Sequence, residues 1–262
     1  MRAVVPETES YKMRFIPGLV SISFRALSVS DIIGITTDAG LEAVEWGSDV
    51  HVPAGDIAAA EAAKKKTGAA GLSMPEYGSY YVLGSGEDIE KTVTSARILG
   101  ITNVRIWAGN TSASEMSPEV YAKVVDDAKR ICGRYPDIRF CLECHNRTVT
   151  QEYTDELKFF CDVGRKNLMT LWQPNQFRTH SWNIESVRAL LPYIYGVHVF
   201  SWEGKNMLPL DAHTDRWAEY LSILRGSERE TMPLMLEFMH DNRPESLPET
   251  AQTLKKWIKA AE

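Results

Sequence analysis

Eight short β-rich runs alternate with helix-like segments along this chain, and that alternation limits its fold more than any other feature. The runs are LVSISF (19–24), LEAVEW (41–46), AGLSM (70–74), NVRIW (103–107), IRFCLE (138–143), LMTLWQ (168–173), YGVHVF (195–200) and PLMLEF (233–238). Their continuous apolar character suits strands covered on both faces. The intervening segments carry helix signals. Asp56 is placed to cap IAAAEAAKKK and Gly68 to end it, Ser117-Pro118 opens EVYAKVVDDAKRI with a cap and a proline, and TDRWAEYLSILRG ends on a glycine. Each parallel strand needs a crossover helix, so such alternation over about 250 residues predicts an α/β fold, a parallel eight-stranded (β/α)8 TIM barrel. The expected organisation is one domain over residues 1–262, with 1–17 as an N-terminal extension leading into the first strand. A doubly wound open sheet fits less well, because no G-x-G-x-x-G follows the first strand and no P-loop occurs.

Composition narrows the function classes. Hydrophobic residues make up 44% and charged residues 24% of the chain, enough apolar material for a large core. The formal net charge of −6 speaks against nucleic acid as a partner, since phosphate binding needs a basic face. Lys64-Lys65-Lys66 reads as a solvated helix C-terminus, where cations suit the helix dipole. Residues 1–20 hold no continuous apolar run of the signal-peptide kind, and no stretch approaches the roughly 20 apolar residues a membrane span needs, so no membrane partner and a cytoplasmic location are expected. Cys141 and Cys144 form a C-x-x-C without a second close pair, and strand geometry sends them to opposite faces, so reduced thiols are expected rather than a zinc cage.

In a parallel barrel the active site lies at the C-terminal strand ends. Strand five ends in Glu143, strand six in Gln173, strand seven carries His198 and strand eight ends in Glu237. Four donors from consecutive strands would meet at one rim, and two carboxylates, an imidazole and an amide oxygen suit a borderline-hard divalent cation: Mn²⁺ first, with Mg²⁺, Co²⁺ or Zn²⁺ as alternatives. Other candidates surround them. His51, in the loop after strand two, either bonds a substrate hydroxyl or caps its loop; His145 shares strand parity with Glu143 and can contact substrate or orient a ligand. Trp46, Trp107, Trp172 and Trp202 fall at or beyond strand ends, where indoles either close the barrel top or wall a binding site. Arg105, if inward, needs a partner such as Glu45 or Glu42.

These residues carry a resemblance. GLEAVEWGSDVHVP, NVRIWAGN, CLECHN, GVHVFSW and LMLEF, in that order and spacing, resemble the xylose isomerase-like TIM-barrel superfamily of sugar isomerases, ketose 3-epimerases and endonuclease-four type abasic-site nucleases. The resemblance to the epimerase branch implies metal ligands at Glu143, Gln173, His198 and Glu237, with Gln173 standing where that branch has Asp, and Glu143 and Glu237 as the catalytic proton-transfer pair. It places Gln176 where epimerases have a His three residues after the strand-six ligand, Val149 where they have a Glu, and Lys205 as the nearest substitute for an Arg after the strand-seven ligand. His51, Trp107, His145, Gln176 and Lys205 are the substrate-binding candidates. The implied activity is a divalent-metal-dependent sugar isomerase or epimerase acting through an enediolate on a small-molecule keto- or aldo-sugar, with assembly as a homo-oligomer left open. The alternatives are an abasic-site phosphodiesterase and a non-catalytic sugar-binding barrel.

Overall fold

The computed structural model describes residues 13–262. Eight parallel strands close a barrel: β1 (Arg14–Val20), β2 (Ala43–Gly47), β3 (Tyr77–Val82), β4 (Asn103–Trp107), β5 (Arg139–Glu143), β6 (Leu168–Trp172), β7 (Ile194–Val199) and β10 (Thr231–Leu236), where β10 pairs with β1. A small antiparallel hairpin, β8 (Trp202–Glu203) and β9 (Asn206–Met207), follows β7. Helices α1 (Val29–Asp38), α2 (Ile57–Ala69), α3 (Glu90–Leu99), α4 (Pro118–Arg134), α5 (Tyr153–Val163), α6 (His180–Leu190), α7 (Thr214–Leu224) and α8 (Leu247–Ala261) alternate with the barrel strands. This is a single-domain (β/α)8 TIM barrel. Among the described residues no helix is long and apolar enough to cross a membrane.

The caps form as the sequence predicts. Asp56 accepts from the Ala59 N–H and Ser117 from the Val120 N–H, each supplying a partner to an otherwise orphaned helix donor. Gly68 does not end α2, which runs on to Ala69; the left-handed residue that follows is Gly71.

Two strands lie elsewhere than expected. Strand β1 starts at Arg14 and stops at Val20, while Ser21–Phe24 forms a 3₁₀ turn. The Ser21 hydroxyl accepts from the Gly47 N–H and the Ser23 hydroxyl from the Phe238 N–H, both at 2.9 Å. Residues that alternate like a strand here serve the ends of β2 and β10 instead. Residues 14–17 of the expected extension thus belong to β1, and 1–12 lie outside the described residues. The run 70–74 yields only one bridge, Ser73 to Ala43. Pro75, which has no N–H to continue a ladder, follows it, and β3 begins at Tyr77.

The main hydrophobic core lies between sheet and helices, with Trp46, Trp172, Trp217, Phe140 and Phe159 fully buried. A smaller apolar cluster of Val20, Ile22, Ala43 and Met235 forms separately.

Candidate active site

Contacts between strands that are not neighbours in the sheet must cross the barrel interior, and such contacts build the site. His198 of β7 reaches Glu45 of β2, with Nε2 2.9 Å from Oε2. On its other side His198 Nδ1 lies 3.1 Å from Gln173 Oε1 and 3.3 Å from Glu237 Oε2. Arg105 of β4 lies 3.2 Å from Glu143 Oε2 through Nη1 and 3.8 Å from Glu45 Oε1 through Nε. All six side chains belong to residues at most 9% exposed. Arg105 does point inward, and of its two candidate partners Glu45 is the one beside it; Glu42 instead pairs with Arg14.

Such burial governs the charges. Burial disfavours the His198 imidazolium, but Glu237 and then Glu45 outweigh that and hold its pKa well above the ordinary histidine value. For Glu237, burial acts upward while His198 and Arg105 act downward, and the net shift is downward. Burial likewise opposes the Arg105 cation, yet Glu143, Glu45 and Glu237 stabilise it. One more carboxyl, Glu76, stands just before β3 and is 2% exposed; burial, then the neighbouring Glu45 charge, pushes it up to about 8. Both causes favour its neutral, protonated form. Sequence reading missed Glu76, although a lone Glu beside Pro75 at the start of a strand was the available signal.

One ligand atom from each of Glu143, His198 and Glu237 lies within 4.8 Å of the others. Gln173 adds a donor with a defined orientation: its Nε2 donates to the Cys144 carbonyl at 2.8 Å, which only accepts, so Oε1 faces His198. Glu143 Oε2 accepts the Trp107 indole N–H at 2.7 Å as well as the Arg105 contact, so Oε1 is committed to neither. Three oxygen donors and one imidazole nitrogen fit a divalent cation of the Mn²⁺ or Mg²⁺ type better than a thiolate-preferring one.

Aromatic rings form a collar beside this cluster. His145 stacks on Trp107 at 4.8 Å between centroids, and Trp107 meets Tyr80 edge-on at 5.9 Å. Arg25 donates to the Tyr80 hydroxyl and lies 6.0 Å from the Phe238 ring centre, and Phe238 contacts Trp202. Phe238 adopts φ +53, a strained conformation for a bulky residue, immediately after Glu237. Arg25, Tyr80 and Phe238 carried no distinguishing signal in the sequence. Trp107 and Trp202 stand in the collar, whereas Trp46 and Trp172 face the helices, bonding Thr67 and Ser186. Strand parity separates Trp107 from Trp46 and Trp172, while Trp202 reaches the collar from the hairpin after β7.

The remaining candidates divide similarly. His145 lies close enough to Glu237 to help lower its pKa. His51 packs beside Trp46 and bonds the Leu27 carbonyl through Nε2, on the helix side of the sheet; its Nδ1 has no hydrogen-bond partner among the described residues. Gln176 lines a cavity of about 350 Å³ between the loop after β6 and the hairpin, together with Phe177, Arg178, Trp202 and Glu203; Glu143 and Glu237 do not line it. Lys205 is exposed in the turn of that hairpin. Asp211 and His213 fall in the 3₁₀ turn that leads into α7, and His213 bonds Glu203.

Comparison with solved structures places this architecture. The probable 3-DHS dehydratase of petrobactin synthesis from Bacillus anthracis superposes with a TM-score of 0.76 at 18% identity, covering 93% of this chain and 99% of that one. A xylose isomerase domain protein from Alicyclobacillus acidocaldarius matches with a TM-score of 0.72 at 16% identity, covering 94% and 99%. The fold is that of the xylose isomerase-like TIM barrels. D-psicose 3-epimerase from Clostridium cellulolyticum H10, solved with D-tagatose, shares it with a TM-score of 0.68 at 13% identity, covering 94% and 99%. No protein-family model matches the sequence, and no curated protein matches it either.

Proposed function

We propose that the chain is a divalent-metal-dependent sugar isomerase or epimerase that moves a proton next to a carbonyl. The observation that carries this reading is the meeting of Glu143, His198 and Glu237 ligand atoms within 4.8 Å at one barrel mouth, with Gln173 Oε1 beside them. Glu143, Gln173, His198 and Glu237 would hold the ion. When bound, it would supply Lewis-acid polarisation of adjacent substrate oxygens.

The chain's own residues then do the rest. Glu237, kept ionised by His198 and Arg105, is suited to accept a carbon-bound proton, leaving the electron pair in an enediolate. Glu143 is oriented by the Trp107 N–H and by Arg105, and is suited to return a proton to the opposite face or to the neighbouring carbon. The Arg105 cation beside Glu143 is buried and fixed, so it would favour negative charge developing next to it at no cost in reorganisation. The collar of Trp107, His145, Tyr80, Phe238 and Trp202 would pack the C–H faces of the sugar and exclude water.

The test is deuterium incorporation from D₂O, followed by NMR, with Mn²⁺ and a panel of ketoses that includes D-fructose and D-tagatose. Wild type is expected to exchange the hydrogen next to the carbonyl of at least one ketose. Glu237→Gln is expected to lose exchange by at least about 100-fold while keeping its circular dichroism spectrum, because shape is retained and the base is removed. A wild type that binds Mn²⁺ but exchanges none of them overturns the enzymatic reading in favour of a sugar-binding barrel.

A further inference from the structure

Beyond the ligand set, one fully buried carboxylate, Glu45, reaches both halves of the site. We propose that Glu45 is a positioning residue: from the far wall of the barrel it hydrogen-bonds His198 through one oxygen and balances the Arg105 charge through the other, 3.8 Å away with no hydrogen bond between them, and thereby presets Glu237 and Glu143. This rests on the reading of Glu143, His198 and Glu237 as the reactive centre.

Five side chains form an unbroken series. Glu143 Oε2 lies 3.2 Å from Arg105 Nη1, Arg105 Nε lies 3.8 Å from Glu45 Oε1, Glu45 Oε2 lies 2.9 Å from His198 Nε2, and His198 Nδ1 lies 3.3 Å from Glu237 Oε2. Acid and base alternate at every step. Glu45 is fully buried and stands at the centre, so each catalytic glutamate is tied to it through one cation. Space for it is provided by β3: a Cβ at Gly78 would lie 2.5 Å from Glu45 Oε1 and 3.0 Å from Arg105 Nη2. The backbone between β2 and β4 is therefore bare where these two side chains meet.

The consequence falls on His198. An imidazole whose Nε2–H is taken by a carboxylate must present Nδ1 to its other side, and that side holds Gln173 Oε1 and Glu237 Oε2. Glu45 thus selects the nitrogen offered to the ion and makes it more basic.

Two readouts on Glu45→Ala and Glu45→Gln test this. In the metal-free protein, ¹⁵N-edited NMR of wild type should show a His198 Nε2–H slow to exchange with water. Glu45→Gln, whose amide oxygen still accepts, should keep it, and Glu45→Ala should lose it. Calorimetric titration with Mn²⁺ should show affinity about 10- to 100-fold weaker in both variants, the range for loss of a carboxylate behind a metal-binding histidine. If Glu45→Ala does not fold, Glu45→Gln decides through the titration. An unchanged Nε2–H in folded Glu45→Ala, or unchanged Mn²⁺ affinity in Glu45→Gln, overturns the proposal. A wild type that binds no Mn²⁺ but shows the expected NMR pattern overturns the metal reading and leaves Glu45 in its positioning role.

Discussion

Glu156 of α5 is fully buried outside the barrel. Its Oε2 accepts from the Cys144 thiol at 3.4 Å, and its Oε1 has no partner among the described residues. Burial pushes this carboxyl up from 4.5 to about 7, with bonds from Thr170 and Cys144 acting weakly downward. The folded pKa exceeds the unfolded one, so the folded protein binds the extra proton between those values. Stability from this group is therefore full below about pH 4.5 and is lost as pH rises to about 7. Glu156→Gln removes the titration. Thermal melts should show the variant equal to wild type near pH 4.5 and more stable at pH 8, by up to roughly 3 kcal/mol; a difference independent of pH would refute it. The same chemistry explains which site residues the sequence exposed. Glu143, His198 and Glu237 are ionisable residues in otherwise apolar strands, which is costly unless a partner or ion repays it, and that anomaly is visible in one dimension. The placement of His51 against Trp46 is not visible that way, because loop geometry decides which face a loop histidine joins.

At the scale of the element, β3 shows what local pattern misses. The apolar run 70–74 looked like a buried strand, yet the strand forms at Tyr77–Val82, whose three tyrosines and valine are better strand formers but whose Gly78 and Ser79 interrupt the apolar pattern. Gly78 is there for space and not for turn-making, since it carries no positive φ. Gly78→Ala should cost about 1–3 kcal/mol through overpacking against Glu45 and Arg105. It should also slow turnover at least as much as it destabilises, since the displaced groups orient Glu143 and His198. Urea unfolding together with the deuterium-exchange assay checks this, and a variant with wild-type stability would show that the Glu45–Arg105 pair has room to spare. The bounds of β4 coincide with the run NVRIW, because Asn103–Trp107 lies between a left-handed Gly100 cap and the loop beginning at Ala108.

For the whole molecule, the strands supply three acidic side chains and two cationic ones to the series centred on Glu45, and a divalent ion would bind the folded barrel and not the unfolded chain. Mn²⁺ at 100 times its dissociation constant should therefore stabilise the protein by about 2.7 kcal/mol, read as a rise in the thermal midpoint that EDTA reverses; no shift would mean that these donors hold no ion. Sequence alone determined the barrel, because a period of strand and helix admits few closed arrangements, and it put Glu143, Gln173, His198 and Glu237 on consecutive strands whose C-terminal ends share one side. Only the tertiary structure decided which donors meet across the barrel. Glu45 and His198 are 153 positions apart and on strands that are not neighbours, so nothing in local periodicity relates them. Their contact arises from closure of the sheet, which turns side chains of distant strands toward one interior too small to keep them apart.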